Sequence, residues 1–303
     1  MTSMRVRVGG FASAAGVAVA LWAAPAAVAQ EAPVCLKGGK KLSNNRDNWT
    51  GTDRRDSVTG LRGKDKMNGR GGNDLVNGGR DNDVVRGGDG NDTICGGRGN
   101  DKLYGDDGND TIYGEEESDK IYPGPGNDKV LGSAGNDKIY GFGTEGGQIV
   151  DDGIDLLDGG FNDDVIIAGG ADTLLGYTHN DTLSTRTPEI APARMDGGGN
   201  DDELFGSEVA DSMFGGENGA DKLYGAGGND KMFGEANNDE LYGQLGDDEL
   251  DGGDGADFLD GGPGDDSCDG GELDDRARDC ERERSIEGRP FAPLFQGPLI
   301  PAT

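Results

Sequence analysis

The chain has 303 residues, 59 of them Gly and 59 Asp or Glu against 28 Lys or Arg, which gives a formal charge of −31 with a single His. At 32% hydrophobic and 6% aromatic, it cannot build a conventional thick core over this length, so something other than apolar burial must hold it. The acidity excludes a general electrostatic affinity for nucleic acid or anionic membrane and favours cations as partners.

In chain order, Arg5 and Arg7 precede an apolar run from Phe11 to Ala24, and Ala27, Val28 and Ala29 have the small-x-small form of a signal-peptidase site. Residues 1–29 read as a signal peptide cleaved after Ala29 rather than as an anchor, because the run is rich in Ala and carries that site. Nothing later in the chain is long and apolar enough to span a bilayer. The expected destination is secreted and extracellular, where calcium is plentiful and thiols oxidise. Residues 30–50, with Cys35 and Trp49, form a leading segment without a clear period.

From Gly51 onward the sequence repeats every nine residues. Gly87 to Tyr104, GGDGNDTIC followed by GGRGNDKLY, shows the phrase twice: Gly at one and two, usually Gly at four, Asp at six and an apolar residue at eight. Position six is Asp56, Asp65, Asp74, Asp83, Asp92, Asp101, Asp110, Asp119, Asp128 and Asp137 without a slip. Position eight in those windows runs from Val58 and Met67 to Val130 and Ile139, apolar throughout. A low-complexity linker has no reason to keep such a register. The eleventh window, Gly141 to Ile149, loses both marks, with Gly146 at six. The count then resumes with Asp155 and Asp164, passes a window one residue short at Asp172, and closes the first block, 51–184, at Asp181. Residues 185–196, with Pro188 and Pro192, read as an excursion loop between blocks. The second block, 197–278, carries Asp202, Asp211, Asp221, Asp230, Asp239, Asp248, Asp257, Asp266 and Asp275. Residues 279–303, where ERERS passes into a Pro-spaced tail, read as a cap or a loose end.

The chemistry of one window points to calcium. Gly tolerates positive φ and lets a loop aim backbone carbonyls at one point, and calcium takes six to eight oxygens from carboxylates and carbonyls. Asp at six supplies the charge that carbonyls lack. The three residues after it form a strand too short to stand alone, with position eight inward and seven and nine outward.

The phrase GGxGxDxUx, with U large and apolar, resembles the hemolysin-type calcium-binding repeat of the RTX family, here the secreted form, from Gly51 to Arg278. The resemblance implies an all-β fold, a right-handed parallel β-roll or β-solenoid with two windows per turn. It also implies calcium ions between loops two windows apart, with Asp92 sharing an ion with Asp110. The candidate metal ligands are the ten Asp from Asp56 to Asp137 together with Asp155, Asp164, Asp202, Asp211, Asp221, Asp230, Asp239, Asp248, Asp257 and Asp266. Departures at Pro123 (position one), Asp81 and Glu117 (position four) and Gly146 set individual sites apart. The 24 windows imply about twelve turns and a length of roughly 58 Å at the strand spacing of about 4.8 Å. Two position-eight side chains per turn are little apolar burial against the cost of ordering two windows, so calcium binding and folding are expected to be one event.

Outward positions place Lys102 with Tyr104, Lys120 with Tyr122, and Lys138 with Tyr140 on neighbouring strands. Such a ladder offers an acidic glycan ion pairs and stacking, or simply stabilises an exposed sheet. Four Cys allow three pairings. Cys35 with Cys95 and Cys268 with Cys280 are expected, because these pairs staple the two ends of a solenoid, where repeats lack a neighbour. With His179 alone, no HExxH and no GxSxG, the catalytic set is empty, and Asp at a fixed position six reads as a ligand. The leading expectation is a non-catalytic secreted calcium-binding protein with a structural, adhesive or matrix role. The alternatives are an extracellular carbohydrate-active enzyme or carbohydrate-binding solenoid, and a toxin-related RTX protein.

Overall fold

The computed structural model describes residue 35 and residues 39–145, 148–150, 153–169, 171–185, 191–271 and 273–284. The signal-peptide reading of residues 1–29 and the tail from residue 285 on lie outside these residues. Among the described residues there is no helix: short strands alternate between a 14-stranded and a 13-stranded sheet, and every neighbouring pair in both sheets is parallel. Successive strands of one sheet are eighteen residues apart, as in Val76↔Ile94 and Ile94↔Ile112, so two nine-residue windows make one turn of a parallel β-solenoid.

Position eight explains why the sheets face each other. Period two sends this side chain inward from each three-residue strand, and the column from Trp49 through Ile94, Leu103 and Ile112 to Ala277 forms one continuous core between the sheets. Leu103 is fully buried between exposed Lys102 and half-buried Tyr104. Each turn adds two such residues, so the core is one side chain deep on each side and long rather than thick.

The roll departs from the nine-residue count in three places. It starts before Gly51: Lys40–Lys41 pairs with Ser57–Thr59, and Asn48–Thr50 pairs with Lys66–Gly71, so much of the leading segment already belongs to the fold. Trp49 at position eight and Asp47 at position six stand nine residues before Val58 and Asp56; the absence of Gly at position one hid this window. The eleventh window is not a turn. Gly143–Glu145 and Gln148–Val150 form a separate antiparallel pair, while Ile139 pairs directly with Ile166 across twenty-seven residues. Register survives because both sheets skip twenty-seven residues here, eighteen plus one window, as in Val130↔Leu157 and Ile139↔Ile166. Finally, the stretch 185–196 is only in part an excursion: Arg194–Gly199 is a strand of the larger sheet, with Met195 facing Leu174 and Met213. Ala193 takes the place of the position-six Asp, which is why the motif was not visible there.

Both expected disulfides form, but differently. Cys35 bonds Cys95 on the outer face of the larger sheet, where Asn77 Nδ2 donates to the Cys35 carbonyl at 2.8 Å. Cys268 instead occupies a position-eight site inside the core, and its bond to Cys280 closes the far end.

On the outer face of the smaller sheet, Tyr104, Tyr122 and Tyr140 stack at 5.0 and 4.9 Å with nearly parallel rings. The Arg86 guanidinium lies 4.1 Å over Tyr104, and Phe142 packs edge-on against Tyr140. A second stack, Phe205, Tyr224 and Tyr242, follows on the same sheet at 5.0 and 5.1 Å. The rings turn their faces to each other, so the stacking surface expected for a glycan is consumed within the ladder.

Candidate calcium sites

Each window turns the chain from one sheet to the other, and the position-six Asp sits at the inner side of that turn. Two ladders result, one along each edge of the roll. On the edge leading into the larger sheet, Asp74 N–H donates to Asp92 Oδ1 and Asp92 N–H to Asp110 Oδ1, both at 2.7 Å. On the other edge, Asp83 N–H donates to Asp101 Oδ1 at 2.7 Å and Asp101 N–H to Asp119 Oδ1 at 2.8 Å. One carboxylate oxygen of each Asp is thereby committed to holding the preceding turn.

The second oxygen is different. The Oδ2 atoms of Asp65, Asp74, Asp83, Asp92, Asp101, Asp110, Asp119, Asp137, Asp164, Asp202, Asp221, Asp230, Asp239, Asp248, Asp257 and Asp266 are buried and have no hydrogen-bond partner. Asp128 and Asp155 hold the same places in the ladder, as do Asp172, Asp181 and Asp275. A buried, unpaired carboxylate oxygen is costly, and a column of them demands a partner.

The glycines show where that partner would lie. A Cβ built on Gly96 would meet Asp101 Oδ2 at 2.6 Å and the Gly114 carbonyl oxygen at 2.7 Å. Two acceptors thus crowd one small space, which Gly at position one leaves free of a side chain. Positive φ stands instead at position two and, in many windows, at position four: Gly97 and Gly99 have φ of 107° and 128°. The sequence departures keep this geometry. Glu117 and Asp81 stand at position four with φ of 71° and 73°, and their carboxylates accept the Gly99 and Gly63 amides of the preceding turn at 2.6 and 3.0 Å. Pro123 presents its carbonyl beside Asp110 Oδ2 as a Gly would. Gly146 lies outside the described residues. His179 stands at position four of a turn with φ of 83°, and its Nδ1 accepts from Asn162 N–H at 3.3 Å, a place in the scaffold.

Burial pushes these carboxyls up, to about 8 at Asp83, Asp110 and Asp119, about 7 at Asp92 and about 9 at Asp164; neighbouring carboxylates add to the rise, and the amide bond to Oδ1 opposes it. Anionic oxygens desolvated beside carbonyl oxygens are the donor set of a hard cation such as calcium, not of a softer metal.

At Asp56 and Asp211 the carboxylate also stands beside a carbonyl at the position-one Gly, but its Oδ2 has donors. Thr52 donates to Asp56 Oδ2 from its amide at 2.7 Å and from its hydroxyl at 2.9 Å. Ser207 does the same to Asp211 Oδ2 at 2.8 and 3.0 Å. Asp47, absent from the sequence-derived set, is held likewise by Ser43 at 2.8 Å from both groups.

Fold and turn together define a calcium-binding parallel β-roll. The family of the RTX calcium-binding nonapeptide repeat, described as four copies, matches residues 50–85, 86–121, 122–143, 149–183, 215–250 and 242–277, and the chain belongs to it. No curated protein matches the chain. Among solved structures, one described as a hyperactive, Ca2+-dependent, β-helical antifreeze protein from an Antarctic bacterium is 19% identical, covering 82% of this chain and 80% of that one with a TM-score of 0.39.

The split use of the carboxylate predicts different outcomes for two variants. Asp119→Asn keeps an acceptor for the Asp101 amide and turns a donor toward the Gly132 carbonyl, so it should weaken calcium binding without loosening the metal-free ladder. Asp119→Ala should weaken both, with a further loss of about 1–3 kcal/mol for the stranded Asp101 amide; calcium titration and chemical denaturation of the two proteins separate the effects.

The raised carboxyls also set a pH dependence. An acid whose folded pKa lies above its unfolded value near 4 binds more protons when folded, so its contribution is present below about 4 and is lost as pH rises through about 8. In chelator, β structure measured by circular dichroism should therefore be greatest near pH 4 and fall toward pH 8. Calcium takes the place of the protons, so calcium added at the acidic end of that range, where the metal-free roll still holds them, should release them, measurable by calorimetry in buffers of different ionisation enthalpy.

Proposed function

We propose that the protein is a secreted, non-catalytic scaffold whose β-roll assembles when calcium reaches the position-six carboxylates. The observation that carries this is the column of buried Oδ2 atoms without partners on both edges of the roll. Asp92 and Asp110, Asp101 and Asp119, and the corresponding pairs along each edge would share ions through their Oδ2 atoms and the adjacent carbonyls. Two disulfides and an N-terminal stretch of signal-peptide form support an extracellular setting, where calcium is abundant and thiols oxidise. The position-six carboxylates have one oxygen in a backbone ladder and the other turned away from solvent, a poor arrangement for acid–base work on a polysaccharide.

Withdrawing calcium at neutral pH should unfold most of the roll, since a chain of formal charge −31 then loses the ions that tie its turns. Circular dichroism in EDTA, followed by millimolar calcium, should show disordered and then β spectra; a β spectrum unchanged by EDTA rules the proposal out.

A second reading concerns the outer face of the smaller sheet, as a surface for an acidic polysaccharide. Lys102, Lys120 and Lys138 stand in direct register on consecutive strands, exposed, and none makes an ion pair among the described residues. Like charges opposite one another destabilise a sheet, and this chain has carboxylates in excess with which to neutralise them. The row therefore suits an external polyanion, held by ammonium groups and the Tyr hydroxyl edges, since the ring faces are taken. Replacing all three Lys by Gln should abolish retention on immobilised polygalacturonate while leaving the calcium-loaded circular dichroism spectrum unchanged; retention equal to the parent's would sink this reading.

A further inference from the structure

Three turns close their carboxylate with a hydroxyl: Ser43 on Asp47, Thr52 on Asp56 and Ser207 on Asp211. In each, the same hydroxyl also accepts the position-four amide, from Asn45 at 3.1 Å, Arg54 at 3.3 Å and Val209 at 3.4 Å. The amide and hydroxyl both donate to Oδ2, the oxygen left without a donor in the open turns. The backbone differs as well. The turn of Asp230 has positive φ at Ala226 and Gly228, 74° and 105°, whereas neither Ser207 nor Val209 has positive φ, and the same holds for Ser43, Asn45, Thr52 and Arg54. Donor hydrogens thus reach the Oδ2 that, in open and closed turns alike, lies beside a carbonyl at position one.

Their positions follow a rule. Asp47 and Asp56 are the first position-six Asp described on their respective edges. Asp211 is preceded on its edge by Ala193, whose amide donates to Asp211 Oδ1 at 2.8 Å but which brings no carboxylate. A closed turn thus stands at the first described position-six Asp of each edge and directly after the turn in which Ala193 replaces Asp. A lone carboxylate cannot share an ion with its neighbour below, and a hydroxyl supplies the missing positive end instead.

We propose that these three turns exclude calcium, and that Ser43, Thr52 and Ser207 mark where each run of calcium sites begins. The inference rests on the calcium reading of the open turns and assigns it residue by residue. On the edge leading into the larger sheet there are two runs, one from Asp74 and one from Asp230, separated by Ala193 and Asp211. On the other edge there is one run, because Asp181 N–H donates to Asp202 Oδ1 and Asp202 N–H to Asp221 Oδ1 without a break. The two blocks of the sequence are therefore separate for calcium on one edge and continuous on the other. At the N-terminal end of the described residues both edges start closed, which makes the first turn a metal-free base for the rest.

Crystals of the calcium-loaded protein, with data collected for calcium anomalous scattering, test this directly. Peaks are expected within ligand distance, about 2.3–2.6 Å, of the Asp92, Asp110, Asp230 and Asp248 carboxylates, and none at Asp47, Asp56 or Asp211. A peak at any of these three overturns the proposal while leaving the calcium reading intact; no peaks at any turn would remove both. In solution, Asp230→Asn should lower the calcium retained after gel filtration, measured by elemental analysis, whereas Asp211→Asn should retain the parent amount. Equal loss in the two variants overturns the proposal, and the map of the unaltered protein decides it even if a variant fails to fold.

Discussion

A carboxylate whose two oxygens do different work is the constraint on which this fold depends. Along both ladders, Oδ1 of a position-six Asp takes the amide of the position-six residue one turn earlier, satisfying a backbone donor that a tight turn would otherwise strand. That bond fixes the stagger between turns and drags the carboxylate out of water. Oδ2 is left buried beside a carbonyl, and the column of such atoms is unfavourable unless protons or cations occupy it. Folding and cation binding are coupled because one side chain serves both.

The glycines serve this arrangement in separate ways. Position one is small because the carboxylate and a carbonyl of the next turn need its space, as at Gly96; positions two and four turn left-handed, as at Gly97 and Gly99. Gly holds position one in most windows, Pro123 being an exception, whereas positions two and four often take other residues because a left-handed φ costs a non-Gly residue only modestly. Glu115 and Glu117 accordingly replace Gly at two and four of one window with φ of 83° and 71°, and the roll continues unaltered. Where Ser or Thr stands at position two without positive φ, the turn changes type and the carboxylate is satisfied internally.

Outside the core, stabilisation comes from repetition of like on like. Aromatic residues at position nine stack on each other at strand spacing, and the outer face gains cohesion that the narrow core does not supply. The same repetition places Lys on Lys, which is a liability to the sheet and an opportunity for a ligand. The two disulfides act where repetition ends: one pins the N-terminal segment to the outer face, the other replaces an apolar core residue in the last turns.

Ten aligned Asp and ten aligned apolar residues were enough to read a two-window turn, an inward position eight and a calcium-type loop from the sequence, because these depend on chemistry repeated at fixed spacing. The Cys pairing was legible for a related reason, since the ends of a solenoid are known once its period is. The window of Asp47 and Trp49 was legible in period but hidden by missing Gly. What the tertiary structure alone decided is how turns meet. The sequence of the eleventh window does not say that its strands pair antiparallel outside the two sheets, nor does PEIAPARMD announce a turn in which Ala193 replaces Asp, because pairing across eighteen to twenty-seven residues is settled by which strands can close the ladder. The closed turns are of the same kind. Asp56 and Asp211 match the motif at position six as well as Asp92 does, and only the approach of a hydroxyl in space shows that their second oxygen is already satisfied.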